Sequence, residues 1–327
     1  MTGDSFEWRS GGMKIDIGSE TSAFIEVEGK FFCLTRKNIT SILLADTIDP
    51  KRTNPNIRHS QQQILPYGSE NYLVGRTLQQ ASVLFKDGVL PNDIAYKKGV
   101  DISFSFLNEI ISLDEKKNLY LKEENNINLG IKTTPALDGS FHLPSIPNID
   151  QKIYQFILNA DHASACIMKL VQLFYPDIGN AGWEEKLYQK LKTQLGENDD
   201  ATLFVKKFKD FTERIRNMRN AIEHKHNPKN KDKVESSNYQ LSPENILEKP
   251  SLSFTGENTL PKIQVSDFMA SSVENLLTIF ESMMAYFCDI NGKPFAGDKR
   301  VVVEIPVEKR QHNEKHVKFQ YQVLWTK

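Results

Sequence analysis

The sequence contains little cysteine and forms no cysteine pattern typical of a metal or disulfide site. Only three of its 327 residues are cysteines, Cys33, Cys166 and Cys288. Each lies in an apolar stretch and none belongs to a C-x-x-C spacing. We therefore expect reduced thiols that pack as small hydrophobic side chains in an intracellular protein, and no structural zinc site.

The sequence also lacks an excess of either charge and a long hydrophobic run. It has 41 Lys and Arg against 42 Asp and Glu, for a net charge of −1. Any nucleic-acid site must therefore depend on a local cluster of cations. No apolar run reaches the roughly 18 residues of a membrane span, and segment 1–12 is too polar for a secretory signal. We expect a cytoplasmic protein without membrane contact.

Three catalytic signatures are absent as well. The chain contains no G-x-x-x-x-G-K-[ST], no H-E-x-x-H and no G-x-S-x-G. Phosphate-loop, zinc-protease and esterase functions therefore have no support in the sequence, which also indicates no cofactor.

The apolar pattern predicts a mainly α protein with a smaller α+β part, in three segments. Residues 1–149 are expected to form a mixed α+β domain, in which 22–34 is a hairpin, 35–48 a helix and 51–66 a loop. A further helix begins at Ser69 and runs to Phe85, and short strands and loops fill 88–149. Residues 150–290 form a helical bundle, and 291–327 are a β-hairpin extension.

The bundle is predicted from apolar residues at helical spacing. Four such helices lie between Asp150 and Ile290, separated by breaks such as Pro176 and Gly196. The third has the most regular stripe, with apolar residues that alternate steps of four and three. These are Phe204, Phe208, Phe211, Ile215, Met218 and Ile222.

Polar and charged residues that suit RNA cleavage are concentrated at the end of this third helix. Asn220 and His224 are four residues apart and would be neighbours on a helix. An imidazole can act as general base on a 2′-hydroxyl, and an Arg can stabilise the negative charge of the transition state. Arg219 and His224 are thus the candidate catalytic pair, with Asn220 as the orienting group.

The run Arg219-Asn220, three residues and His224 resembles the R-x(4–6)-H motif of the HEPN superfamily. His226 also satisfies this spacing, and we favour His224 because Asn220 is its neighbour. The resemblance covers residues 150–290 by helix number. It implies a homodimer whose two motifs form one composite, metal-independent ribonuclease site. It also implies a toxin–antitoxin or phage-defence setting, with RNA as substrate and an antitoxin or regulatory protein as partner. Arg216, Lys225 and His226 are the candidate substrate-binding residues.

Two other functions stay open. The protein is a non-enzymatic interaction module if the basic edge of the bundle only binds a partner protein or nucleic acid. It is a nucleotide-binding HEPN domain if it binds nucleotides instead of cutting polymers. The arginines themselves have a simple structural interpretation, a solvated helix edge that interacts favourably with the C-terminal dipole.

Overall fold

The computed structural model describes residues 21–92, 94–130, 142–225, 231–244 and 246–325. About half of the protein, 51%, is helical and 20% is in strands, so the fold is mixed α and β. Within the described ranges, no helix is both long and apolar enough to cross a membrane.

The elements run as follows. The helices are α1 (Ala45–Ile48), α2 (Tyr72–Val74), a π-helix (Gly75–Gln79), α3 (Gln80–Leu84), α4 (Tyr96–Gly130), α5 (Ile149–Phe174), α6 (Trp183–Leu195), α7 (Asp200–Glu223) and α8 (Val265–Ile290). The strands are β1 (Thr21–Val27), β2 (Lys30–Thr35), β3 (Ile39–Leu43), β4 (Ser60–Leu65), β5 (Lys233–Ser237), β6 (Gln240–Leu241), β7 (Leu247–Glu248), β8 (Ser251–Thr255), β9 (Leu260–Gln264), β10 (Lys299–Glu304) and β11 (Phe319–Leu324).

The chain divides into two compact units. Unit 1 comprises residues 1–104 and 284–327, and unit 2 comprises residues 105–283. This division differs from the sequence-based boundaries near 150 and 290. Helices α4 and α8 each contribute residues to both units. The sequence-based boundaries, in contrast, were placed between predicted elements.

Unit 1 contains an antiparallel sheet in the order β1-β2-β3-β4. The predicted hairpin at 22–34 is confirmed, with Val27 opposite Lys30. Its two turn residues, Glu28 and Gly29, have φ of 48° and 72°. Two consecutive positive φ values match the twist of the flanking strands, and glycine adopts the second without steric cost.

The predicted helix over 35–48 is wrong. Residues Ile39–Leu43 form strand β3, and only Ala45–Ile48 is helical. Ile39 and Ile42 are buried against β2 and the core, and their β-branched side chains suit a strand. The predicted loop over 51–66 contains β4 at its end, a mostly exposed edge strand.

The helix predicted from Ser69 to Phe85 is present in interrupted form. It begins after Asn71, whose side chain accepts a hydrogen bond from the Leu73 N–H, and it contains the π-helix Gly75–Gln79. A Cβ added at Gly75 would lie 2.3 Å from the His316 Cβ. Glycine at position 75 therefore allows His316 to approach the helix backbone more closely than any larger residue would.

The expectation of short strands and loops over 88–149 is wrong for most of that range. Residues Tyr96–Gly130 form one helix of 35 residues. The run Ile102–Phe106 alternates apolar residues with serine, which is a pattern of strands as well. The structure instead buries Phe106, Leu107 and Ile110 together, at helical spacing.

The four helices predicted between 150 and 290 are confirmed as α5 to α8. Phe106 of α4 stacks on Phe280 of α8, with ring centroids 3.9 Å apart and planes at 4°. Phe156 of α5 meets Phe268 of α8 edge to face, with centroids 5.9 Å apart. The polar segment between α7 and α8 contains the strands β5 to β9. The predicted terminal hairpin is confirmed as β10 paired with β11.

Replacement of Phe280 by alanine is expected to lower the free energy of unfolding by about 3–5 kcal/mol, because it leaves a cavity opposite Phe106. Urea unfolding followed by circular dichroism measures this. Phe24→Ala is the matched control: Phe24 is 60% exposed, so its loss should change stability by at most about 0.5 kcal/mol. Equal effects of the two variants would contradict the assignment of Phe280 to the core.

A second prediction concerns the turn that precedes β10. Phe295 and Asp298 pair through two backbone hydrogen bonds of 3.0 and 2.9 Å, and the residues between them, Ala296 and Gly297, have φ of 50° and 93°. Alanine is strained in this region, so Ala296→Gly should raise stability by about 0.5–1 kcal/mol. A lower melting temperature for this variant would show that the strain is not relieved.

Candidate functional site

Helix α7 presents one apolar side and one charged side. Asp199 caps its first turn by accepting a hydrogen bond from the Ala201 N–H at 2.9 Å. Phe208, Ile215 and Met218 are buried on the apolar side. The helix ends at Glu223, and the His224 N–H closes the last turn by donating to the Asn220 carbonyl at 2.9 Å. The candidate motif therefore lies at the C-terminal end of the helix, as expected.

The guanidinium group of Arg219 is surrounded by acceptors. Its Nη1 lies 3.1 Å from Glu223 Oε2 and donates to the Asn220 side-chain oxygen at 2.8 Å. Its Nε lies 3.6 Å from Asp161 Oδ2 on α5, a distance too long for a hydrogen bond. Two carboxylates thus balance the charge of this arginine, and its buried Nε keeps an unused donor.

Asn220 orients the arginine, not the histidine. Its side-chain oxygen accepts from Arg219, and its backbone carbonyl accepts from the His224 N–H. Within the described ranges, the side chains of Asn220 and His224 share no hydrogen bond. The predicted role of Asn220 as an orienting group therefore applies to the guanidinium group in this structure.

His224 and Lys225 are exposed. His224 occupies the capping position after the helix, with φ of −106° and ψ of 23°, so its imidazole is accessible to a ligand. The candidate His226 lies outside the described residues. Its choice over His224 as the catalytic histidine therefore stays open.

Arg216, the second candidate arginine, forms an ion pair with Glu184 in the first turn of α6. The Glu184 side chain is fully buried, whereas that of Arg216 is 30% exposed. Burial raises the pKa of the Glu184 carboxyl above its ordinary value, and Arg216 opposes that rise. The pair attaches α7 to α6, and the role of Arg216 in substrate binding stays a prediction.

Asp161 belongs to the same charged network. Burial raises the pKa of the Asp161 carboxyl, although Arg219 and Arg216 both act to lower it. The next residue, His162, is about half exposed, and its Nδ1 lies 3.8 Å from Glu109 Oε2. His162 is therefore a surface side chain beside a carboxylate.

A lysine-lined cleft of ≈ 430 Å³ lies beside the end of α7. Lys225, Lys231 and Lys233 contribute three cations to its lining, and Asp150 and Asp232 contribute two carboxylates. Lys233 also pairs with Glu235, whereas Lys225 and Lys231 form no ion pair in the described part of the chain. With Glu235 included, the charges around the cleft balance, and Lys225 and Lys231 are the lysines of its lining that an anion could reach without breaking an ion pair among the described residues.

Comparison of the chain with protein-family models, curated proteins and solved structures found no match. The HEPN resemblance therefore depends on the six-residue motif and on its position at the end of α7. A functional conclusion has to be drawn from the site itself.

The structure brings Arg219 and Asn220 together and pairs the α7 arginines with three carboxylates, of which the sequence analysis missed Asp161 and Glu184. Glu223 is four residues after Arg219 and was visible from spacing alone. Asp161 and Glu184 lie on other helices, and no sequence signal identified them. Glu184 in particular resembles an ordinary acidic residue in a first helical turn.

The buried ion pair gives a prediction on stability. Arg216→Ala leaves the Glu184 carboxylate buried without a partner, so stability at pH 7 should fall by about 3 kcal/mol. The second substitution Glu184→Gln in that background removes the buried charge and should recover most of the loss. Chemical denaturation of the wild type, both single variants and the double variant measures the coupling.

The stability deficit of Arg216→Ala is also expected to depend on pH, because it comes from the buried Glu184 carboxylate. A carboxyl with a raised pKa in the folded protein binds more protons when folded, so its stability penalty is present at neutral pH. The penalty disappears as the pH falls through the folded pKa towards the unfolded value. The deficit of Arg216→Ala should therefore shrink between pH 7 and pH 5, and a constant deficit would contradict the assignment to Glu184.

Proposed function

We propose that this protein is a metal-independent RNA endonuclease of HEPN type. It acts as a homodimer with a composite Arg/His site, in the cytoplasm, in a toxin–antitoxin or phage-defence role. The observation that carries the proposal is the accessible His224 at the end of α7, one turn from a positioned Arg219. The lysine-lined cleft beside it offers cations for the RNA backbone.

The reaction is a transesterification that releases the downstream fragment with a 5′-hydroxyl. His224 takes the proton of a ribose 2′-hydroxyl, and the 2′-oxygen attacks the adjacent phosphorus. The bond between phosphorus and the 5′-oxygen breaks, which leaves a 2′,3′-cyclic phosphate. A protonated His224 of the second copy gives its proton to the departing 5′-oxygen, so the protons balance without a metal ion.

Arg219 stabilises the charge that collects on the phosphate oxygens in the transition state. In the isolated chain its donors face Asp161, Glu223 and Asn220. An RNA phosphate must therefore displace at least one carboxylate, most readily that of Glu223 on the same helix. The carboxylates hold the guanidinium plane in position and keep its charge balanced until the substrate arrives.

The test compares the wild type with Arg219→Ala and His224→Ala, with His162→Ala as a matched surface-histidine control. Purified wild-type protein and the control are expected to cleave total RNA in EDTA, to ends that carry a cyclic phosphate. Each motif variant should lose at least about 100-fold in rate. Induced expression should stop growth only for the wild type and the control.

The outcomes separate the alternatives. If His226→Ala is inactive and His224→Ala is active, the second histidine of the motif is the base. If the wild type cleaves no RNA and all chains are equally harmless at matched expression, the endonuclease proposal fails. Light scattering of the purified chain tests the dimer, since a monomer at assay concentration contradicts a composite site.

One observation favours a second function, the non-enzymatic interaction module. Arg216 and Arg219 are both engaged by carboxylates of the same chain, as in a structural network. In that case the exposed lysines of the cleft hold an acidic partner or nucleic acid without chemistry. The second function requires binding that survives His224→Ala and shows no product ends.

A further inference from the structure

Unit 1 carries an exposed aromatic surface that the proposed nuclease site does not use. Phe295 and Trp325 are 48% and 67% exposed. Their rings meet edge to face, with centroids 6.4 Å apart and planes at 78°. Two exposed aromatic rings in contact form a continuous apolar patch, and such patches are more informative than single exposed side chains. We call this the aromatic platform.

A guanidinium group lies over one ring of the platform, that of Phe295, and over the neighbouring ring of Tyr321. The Arg300 Cζ is 5.5 Å from the ring centroid of Phe295 and 5.8 Å from that of Tyr321. Arg300 forms no ion pair and no side-chain hydrogen bond in the described ranges, and its Nη1 is a buried donor without an acceptor. A guanidinium held only by aromatic faces keeps its charge available for an anion.

A pocket of ≈ 470 Å³ adjoins these residues. Phe295, Arg300 and Tyr321 line it together with Lys86, and Glu314 is its one acidic lining residue. Lys86 is exposed and forms no ion pair among the residues that the structure describes. The volume lies within the range of about 300–1,000 Å³ that is usual for small-ligand pockets.

Phe295 and the neighbouring Tyr321 are held by hydrogen bonds. Phe295 is fixed by its two backbone hydrogen bonds with Asp298, and the Tyr321 hydroxyl donates to the Leu84 carbonyl at 2.9 Å. Ala296, next to Phe295, keeps a positive φ that is unfavourable for alanine. Backbone strain of this kind is concentrated at sites that must present a side chain in one position.

We infer that the platform binds single-stranded nucleic acid, one or two nucleotides at a time. Bases stack on Phe295 and Trp325, and the phosphates are held by Arg300 and Lys86. Single-stranded nucleic acid combines flat aromatic bases with a repeated negative charge, which matches exposed rings beside unpaired cations. An apolar peptide would leave the charge of Arg300 uncompensated, so this occupant fits less well.

The experiment measures binding of fluorescently labelled 12-nucleotide oligomers by anisotropy. The protein is the full chain with His224→Ala, so that cleavage does not interfere. The probes are single-stranded RNA, single-stranded DNA of the same sequence, and the RNA duplex. Both single strands should bind, and the duplex should bind at least about fivefold more weakly because its bases are already stacked.

Two exposed positions separate stacking from charge. Trp325→Ala should weaken single-strand binding by at least about fivefold at every salt concentration. Lys86→Gln should weaken it at low salt and reduce the slope of log affinity against log salt by about 0.7. Phe24→Ala, an exposed aromatic residue that does not line the pocket, is the matched control and should bind as the parent does.

Several results would overturn the inference. One is the absence of single-strand binding, and another is binding that neither Trp325→Ala nor Lys86→Gln alters. If Lys225→Ala and Lys231→Ala abolish binding while Trp325→Ala and Lys86→Gln do not change it, the cleft beside α7 holds the RNA and the platform does not. If Trp325→Ala changes only the oligomeric state, the platform is an interface between copies. If the wild-type chain binds through the platform but cuts no RNA, the nuclease proposal fails and the platform inference stands.

Discussion

Helix α7 has to bury one side completely and still keep a row of arginines hydrated at its end. Its charged side is held by carboxylates from two neighbouring helices, Asp161 of α5 and Glu184 of α6. These ion pairs fix the rotation of α7 about its axis, because the apolar stripe alone would tolerate small shifts. The position of the candidate motif depends on this pairing together with the buried apolar side of α7.

The same pairing sets the electrostatics of the site. In a chain with a net charge of −1, Arg216 and Arg219 do not create a strongly positive surface, since each has an acidic partner. Lys225 and Lys231, which form no ion pair in the described part of the chain, line the cleft after the helix. In the proposed nuclease, these lysines would attract the polyanion, and Arg219 would act once a phosphate competes with its carboxylates.

The elements that depend on local sequence patterns were predicted correctly. The hairpin at 22–34, the four helices after 150 and the final hairpin follow from periodicity and turn residues, and the structure contains them. The segment 39–43 and helix α4 were misassigned because short apolar runs with β-branched or aromatic residues fit both periods. The tertiary partners of the motif were out of reach, because Asp161 and Glu184 become neighbours of α7 only through packing. Asn220 shows the same limit: its spacing to His224 was right, but a closer donor, Arg219, takes its side-chain oxygen.

The π-helix of unit 1 adds one residue to an otherwise regular turn. Each residue of an α-helix advances the side chains by about 100°, so one additional residue rotates all that follows by that angle. Gln80 comes directly after it and clasps β11: its amide donates to the Phe319 carbonyl at 2.9 Å and its oxygen accepts from the N–H groups of Lys318 and Phe319 at 2.8 and 2.9 Å. A chain shortened by one residue at this point would have a more regular helix and would turn Gln80 away from the strand. The docking of the C-terminal hairpin on this helix is thus encoded by a helical irregularity more than 230 residues earlier in the chain.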